Sequence, residues 1–308
     1  MFFDATKDAE VRAYEFASLE VPEEYAGQER DEAVPTLAPG APLEKLASGF
    51  FNISGAAVDP DGQLYFVDAH CQRIYRWSPE NKEAVVVRDN PLDPVNLAFD
   101  KAGDLMVVSY AGKGTVYYFR PGSPMDQVTL MQPQTALDRP GMSPLLPVDV
   151  WSIRGIPGDR PYQYVSPDNT VFIPAGEDFV QGQLYYGTKM ADILRAFGLA
   201  KAVPGHPFYV SDESDEKTYK GNVTDKGTIT DLQLFAERGG QSMAQDQEGN
   251  VYLTAGQVLV YSPKGELLGH IDVPERPIDI AFGGRDRTTL YILTHASLYA
   301  VKTKVPGL

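Results

Sequence analysis

Short apolar runs rich in Val, Ile, Leu, Tyr and Phe recur along the chain, parted by turns that hold Gly, Asp, Asn or Pro. Runs of that length with β-branched and aromatic content predict strands. Four segments share one pattern of an apolar strand, a Gly/Asp turn, a second strand and a third. The first comprises Gly55–Gly62, Leu64–Asp68 and Arg73–Trp77, and the second Asn96–Asp100, Gly103–Val108 and Val116–Phe119. The others comprise Met243–Asp246, Val251–Thr254 and Val258–Tyr261, then Ile280–Gly283, Leu290–Leu293 and Ser297–Val301. Two looser copies fit between: Val148–Ile153 with Thr170–Ile173, and Gly198–Ala200 with Phe208–Asp212 and the turn Asp225–Gly227. Repeats of about 40–50 residues are the length of a propeller blade. The pattern predicts an all-β, six-bladed β-propeller over residues 42–308, closed by an N-terminal strand from Pro42–Gly49 that protects the last edge. Residues 1–41 read as an acidic arm with one helix around Ala9–Leu19.

Composition narrows the function. Of 308 residues 43% are hydrophobic, enough for an ordinary core. The single Cys excludes a disulfide framework or a Cys-rich zinc module. A net charge of −15 argues against a general nucleic-acid partner, since phosphate contacts need clustered Lys and Arg. No apolar stretch is long enough for a membrane span. The start Met1-Phe2-Phe3-Asp4 lacks the basic and apolar regions of a signal peptide, so a cytoplasmic location is expected. The expected ligand is a small molecule, and the acidic arm is a surface for protein contact.

The run Pro274–Gly284 with Thr289–Ile292 resembles the regucalcin/gluconolactonase/luciferin-regenerating-enzyme family (senescence-marker-protein-like). Ser54–Asp59, Leu64–Asp68 and Phe208–Asp212 support the likeness, which extends over about residues 42–304. The resemblance implies a six-bladed propeller, a divalent cation, usually calcium, at the channel mouth, and hydrolysis of a lactone or related ester. The family's metal ligands are a Glu, two Asn and an Asp. Carried over one by one, those positions hold Ser54, Val148, Phe197 and Gln241, with Val95 and Ile278 at the equivalent places in blades two and six. A hard cation needs several oxygens, preferably carboxylates, so the resemblance leads to a divergent member with its metal ligands replaced and no cofactor.

Candidate chemistry then falls to other residues. Asn96, Asp149 and Asp279 follow Pro-x in three repeats. They either cap turns and tie blades, or form a polar rim with Asp149 as general base. His70 and His295 end second strands and are acid/base candidates at one end of the barrel. Ser54, Val95, Asn96, Val148, Phe197, Gln241, Ile278 and Asp279 are the expected substrate contacts. The long segment Gln132–Asp168 reads as a lid over the channel or an enlarged blade, with Tyr185-Tyr186-Gly187 and Met190 extending an apolar wall. Two functions fit. One is a lactonase-like enzyme acting without the family's metal on a relatively apolar lactone or ester. The other is a non-catalytic binding or scaffold propeller; a metal-free lyase or condensing enzyme similar to strictosidine synthase is a variant of the first.

Overall fold

The computed structural model describes residues 34–89, 91–99, 103–109, 115–131, 206–212, 214–224 and 228–308, and between them 152–155, 162–165, 170–175, 184–190, 193 and 196–200. The chain divides into a unit of residues 1–32 and a unit of residues 33–308. The helix expected at Ala9–Leu19 lies outside the described residues.

Strand β1 (Glu44–Ser48) is followed by β2 (Ile53–Val58), β3 (Leu64–Asp68), β4 (Arg73–Ser78) and β5 (Glu83–Asp89). Next come β6 (Pro94–Phe99), β7 (Leu105–Ser109), β8 (Thr115–Phe119) and β9 (Thr129–Met131), then β10 (Ser152–Gly155), β11 (Tyr162–Val165), β12 (Thr170–Ala175) and β13 (Leu184–Lys189). The chain continues with β14 (Ala196–Leu199), β15 (Phe208–Asp212), β16 (Lys217–Val223) and β17 (Ile229–Ala236), then β18 (Met243–Gln245), β19 (Val251–Ala255), β20 (Gln257–Tyr261) and β21 (Leu267–Ile271). It ends with β22 (Pro277–Gly283), β23 (Thr289–Thr294) and β24 (Ser297–Lys302). Every described pairing between these strands is antiparallel, and β1 lies beside β24 with Glu44 opposite Ala300 and Ser48 opposite Ser297.

The architecture is an all-β propeller, and the expectation of six blades is corrected to five described as packed blades. Strand pairing gives six four-stranded sheets. Side chains are described in the five that begin with β2, β6, β14, β18 and β22, whereas β10–β13 is described by its strand pairing alone. That fourfold run is also where the sequence pattern fails. Thr170–Ile173 was expected as a second strand but lies in the third, β12, and β10 and β11 fall within the stretch read as a long loop. Pro157, Pro161 and Pro174 interrupt the alternation there. The last sheet takes its outer strand from β1, within the expected closing segment Pro42–Gly49, whereas the other sheets carry an outer fourth strand that the three-strand pattern omitted. β5, β17 and β21 mix exposed and half-buried positions.

The second strands explain the core. β3, β7 and β15 are buried at every residue, because each face of the sheet is covered. Alternate side chains of β3 go opposite ways. Leu64 and Phe66 join Ile53, Trp77, Ile278 and Leu293, while Tyr65 and Val67 join Leu97, Phe99, Leu105 and Val107. Val34 is buried in the last cluster with Tyr252 and Val260, and Leu37 bridges Thr303, so residues 34–41, expected as part of the arm, belong to the propeller. Among the described residues no helix is long and apolar enough to cross a membrane.

Candidate active site at one end of the propeller

Three loops meet at the end of the propeller where β1 stops. They are residues 49–52 between β1 and β2, residues 69–72 between β3 and β4, and residues 295–296 between β23 and β24. Every amide from Gly49 to Ile53 is committed. Those of Gly49 and Phe50 donate to the Ala296 carbonyl at 3.1 and 3.3 Å, and that of Ile53 donates to the His295 carbonyl at 2.9 Å. Between them, the amides of Phe51 and Asn52 donate to the Asp68 carboxylate at 2.9 and 3.2 Å. Asp68 also accepts from the Cys71 amide at 3.1 Å, and the Ala69 amide returns to the Asn52 carbonyl at 2.9 Å. Asp68 thus staples two loops from the end of a buried strand. Burial pushes its carboxyl up, but the amides of Phe51, Cys71 and Asn52 outweigh this and hold it below the usual range. Burial and the neighbouring Asp68 push the Cys71 thiol up, which disfavours a thiolate nucleophile.

His70 and His295 are exposed at this end. The His70 ring lies 5.4 Å from the Phe51 ring at an interplanar angle of 32°. His295 Nδ1 lies 3.0 Å from Asn52 Oδ1. An amide oxygen only accepts, so in this arrangement Nδ1 carries the proton, and in the neutral ring Nε2 presents its lone pair. Asp149, the third predicted catalytic residue, and Val148 lie outside the described residues.

The predicted substrate contacts divide. The Ser54 hydroxyl donates to the Val95 carbonyl at 2.8 Å, tying β2 to β6. Asp279 is buried; its Oδ2 accepts from the Ala56 amide at 2.7 Å and its Oδ1 from the Ile280 amide at 2.9 Å. Asn96 Oδ1 accepts from the Leu97 amide at 2.8 Å. Asn96 and Asp279 therefore use their side chains on backbone amides within a strand and between neighbouring sheets. Ile278 is buried within the apolar cluster of the first and last sheets. Gln241 is exposed in the loop before β18, off the inner strand, and Phe197 falls within β14. Phe51 and Asn52 are not among the residues that the sequence pattern singles out. The available signal was position: Asn52 directly precedes an inner strand, at the end where the second strands place both histidines.

The donors fit a hard divalent cation poorly. At the carried-over positions the described side chains are one hydroxyl, Ser54, and one exposed amide, Gln241. Among the described residues no three His, Cys, Asp or Glu side chains come together as a metal site. Calcium takes six to eight oxygens in general, more than this set offers.

With this geometry in place, residues 191–296 match the family described as SMP-30/gluconolactonase/LRE-like region. The match spans the fourth and fifth sheets and strands β22 and β23 of the last. No curated protein matches the chain in sequence. Among solved structures, a gluconolactonase from Xanthomonas campestris is 19% identical, with 88% of this chain and 92% of that one covered at a TM-score of 0.66. A calcium-binding protein, regucalcin, from Agrobacterium tumefaciens is 16% identical over 88% of this chain and 96% of that one, with a TM-score of 0.59. A streptogramin B lyase is 10% identical over 86% and 98%, with a TM-score of 0.60. At such identities the likeness is one of fold, and one fold carries several chemistries.

Proposed function

We propose that the protein is a lactonase-type hydrolase, acting on a small, relatively apolar lactone or ester at the end that carries His70 and His295, without a divalent metal. The family region supports the lactonase type. The observation that carries the site is the His295–Asn52 pair. With Nδ1 held by Asn52, Nε2 is free to take a proton from water as the hydroxyl oxygen bonds to the lactone carbonyl carbon. Collapse of the tetrahedral adduct breaks the ring C–O bond. The leaving alkoxide recovers the proton from Nε2, and the product is the hydroxy acid. Asn52 acts through the ring it orients and is a positioning residue.

Steady-state hydrolysis of δ-gluconolactone and of a more apolar δ-lactone, followed by acid release, tests this. His295→Gln should lower kcat by roughly 10²–10⁴-fold. Asn52→Ala should lower it by on the order of 10²-fold with KM little changed. Asn52→Asp, which keeps an acceptor opposite Nδ1, should restore most of the rate. Unchanged turnover in His295→Gln would remove this histidine from the reaction.

A further inference from the structure

Phe51 stands out from the other large apolar residues at the surface: its side chain is 71% exposed, yet its backbone is the most fully bonded loop at this end. Its neighbour Phe50 turns inward, with ring centroids 5.0 Å from Phe66 and 5.4 Å from Tyr75. The chain thus places one ring in the core and the next in water. Leaving a phenylalanine ring in water forfeits the hydrophobic gain of burial, and the bonded amides hold the main chain that presents it in place. The second loop, anchored through Ala69 and Cys71, brings the His70 imidazole beside it at a shallow angle. The two rings are held by separate loops and share one staple, Asp68.

We propose that Phe51 is a specificity-determining residue: with His70 it forms a rigid aromatic platform that takes a planar aromatic or unsaturated ring of the ligand. The inference rests on the reading that this end of the propeller is the working end. It names the class of substrate as one carrying such a ring next to the reacting group. Two rings offset from each other present both a face and an edge to a third, and aromatic contacts of this kind add to simple area burial. A saturated ring of the same size makes the area contact alone.

A paired-ligand experiment that needs no turnover tests the platform. Benzyl alcohol and cyclohexylmethanol are titrated into the full chain and followed by the ring-proton resonances of His70 in NMR. Benzyl alcohol should move the His70 signals and bind more tightly than cyclohexylmethanol by roughly three- to tenfold. Phe51→Leu, which keeps an apolar side chain without the ring, should erase that preference, and Phe51→Trp should restore it. Equal binding of both alcohols, or His70 signals that stay still, would overturn the platform. Because no bond is broken, a failure here is separate from a failure of the hydrolase reading, which the His295→Gln kinetics judge alone.

Discussion

Glu275 shows how much one side chain does at this end of the molecule. Its Oε1 accepts from Lys45 at 3.0 Å, Ser297 at 2.7 Å and Tyr299 at 2.8 Å, and its Oε2 from Thr294 at 2.6 Å. Lys45 lies on β1 and the other three on or next to β23 and β24, so one carboxylate binds the closing strand to the last sheet. Burial pushes Glu275 up, but the four donors outweigh it and bring its pKa down to about 2. The group is ionised in the folded state at a pH where an unfolded glutamate is protonated. Its stabilisation is therefore present above about pH 4.5 and fades as pH falls toward 2. Glu275→Gln should cost about 1–2 kcal/mol at pH 7 in urea unfolding, reduced by partial exposure. The gap to the natural protein should narrow at pH 3. A gap that stays constant with pH would show that the charge has no part in the clasp.

Strands set the next level, and here the sequence was most legible where burial is complete. β3, β7, β15, β19 and β23 read as continuous apolar runs, so their positions were clear from Leu64–Asp68 to Leu290–Leu293. Outer strands such as β17 are apolar in part but lie partly exposed at the rim, outside the three-strand repeat that the pattern follows. β11 was hidden for another reason: its residues Tyr162–Val165 sit among prolines that signal a loop. The approach of the inner strands turns on one glycine. A Cβ on Gly55 would lie 2.7 Å from Asn96 Oδ1 and 2.9 Å from Asn96 Cα, so β2 and β6 meet with no room for a side chain. Gly55→Ala should therefore force the inner strands apart and destabilise by about 1–3 kcal/mol. Thermal unfolding measures it; an unchanged midpoint would mean that the strands adjust freely.

At the scale of the whole molecule, the acidic excess is unevenly spread along the sequence. Residues 1–34 hold ten acids and three bases, a net −7 of the total −15, whereas the positions where the family holds its cation offer little charge. Asp279, one of the candidate acids, is spent on the backbone amides of Ala56 and Ile280. The site was only partly legible for the same reason. His70 and His295 could be placed at one end because both end second strands. Their partners Phe51 and Asn52 come from a loop that no periodicity marks, and the staple through Asp68 depends on backbone amides, which carry no signature in the sequence. The central claim, hydrolysis at this end without a metal, is tested most directly by lactone turnover in protein stripped with EDTA and then returned to calcium. The rate should be the same in both states and fall in His295→Gln. Activity lost with EDTA, restored by calcium and indifferent to His295 would contradict it.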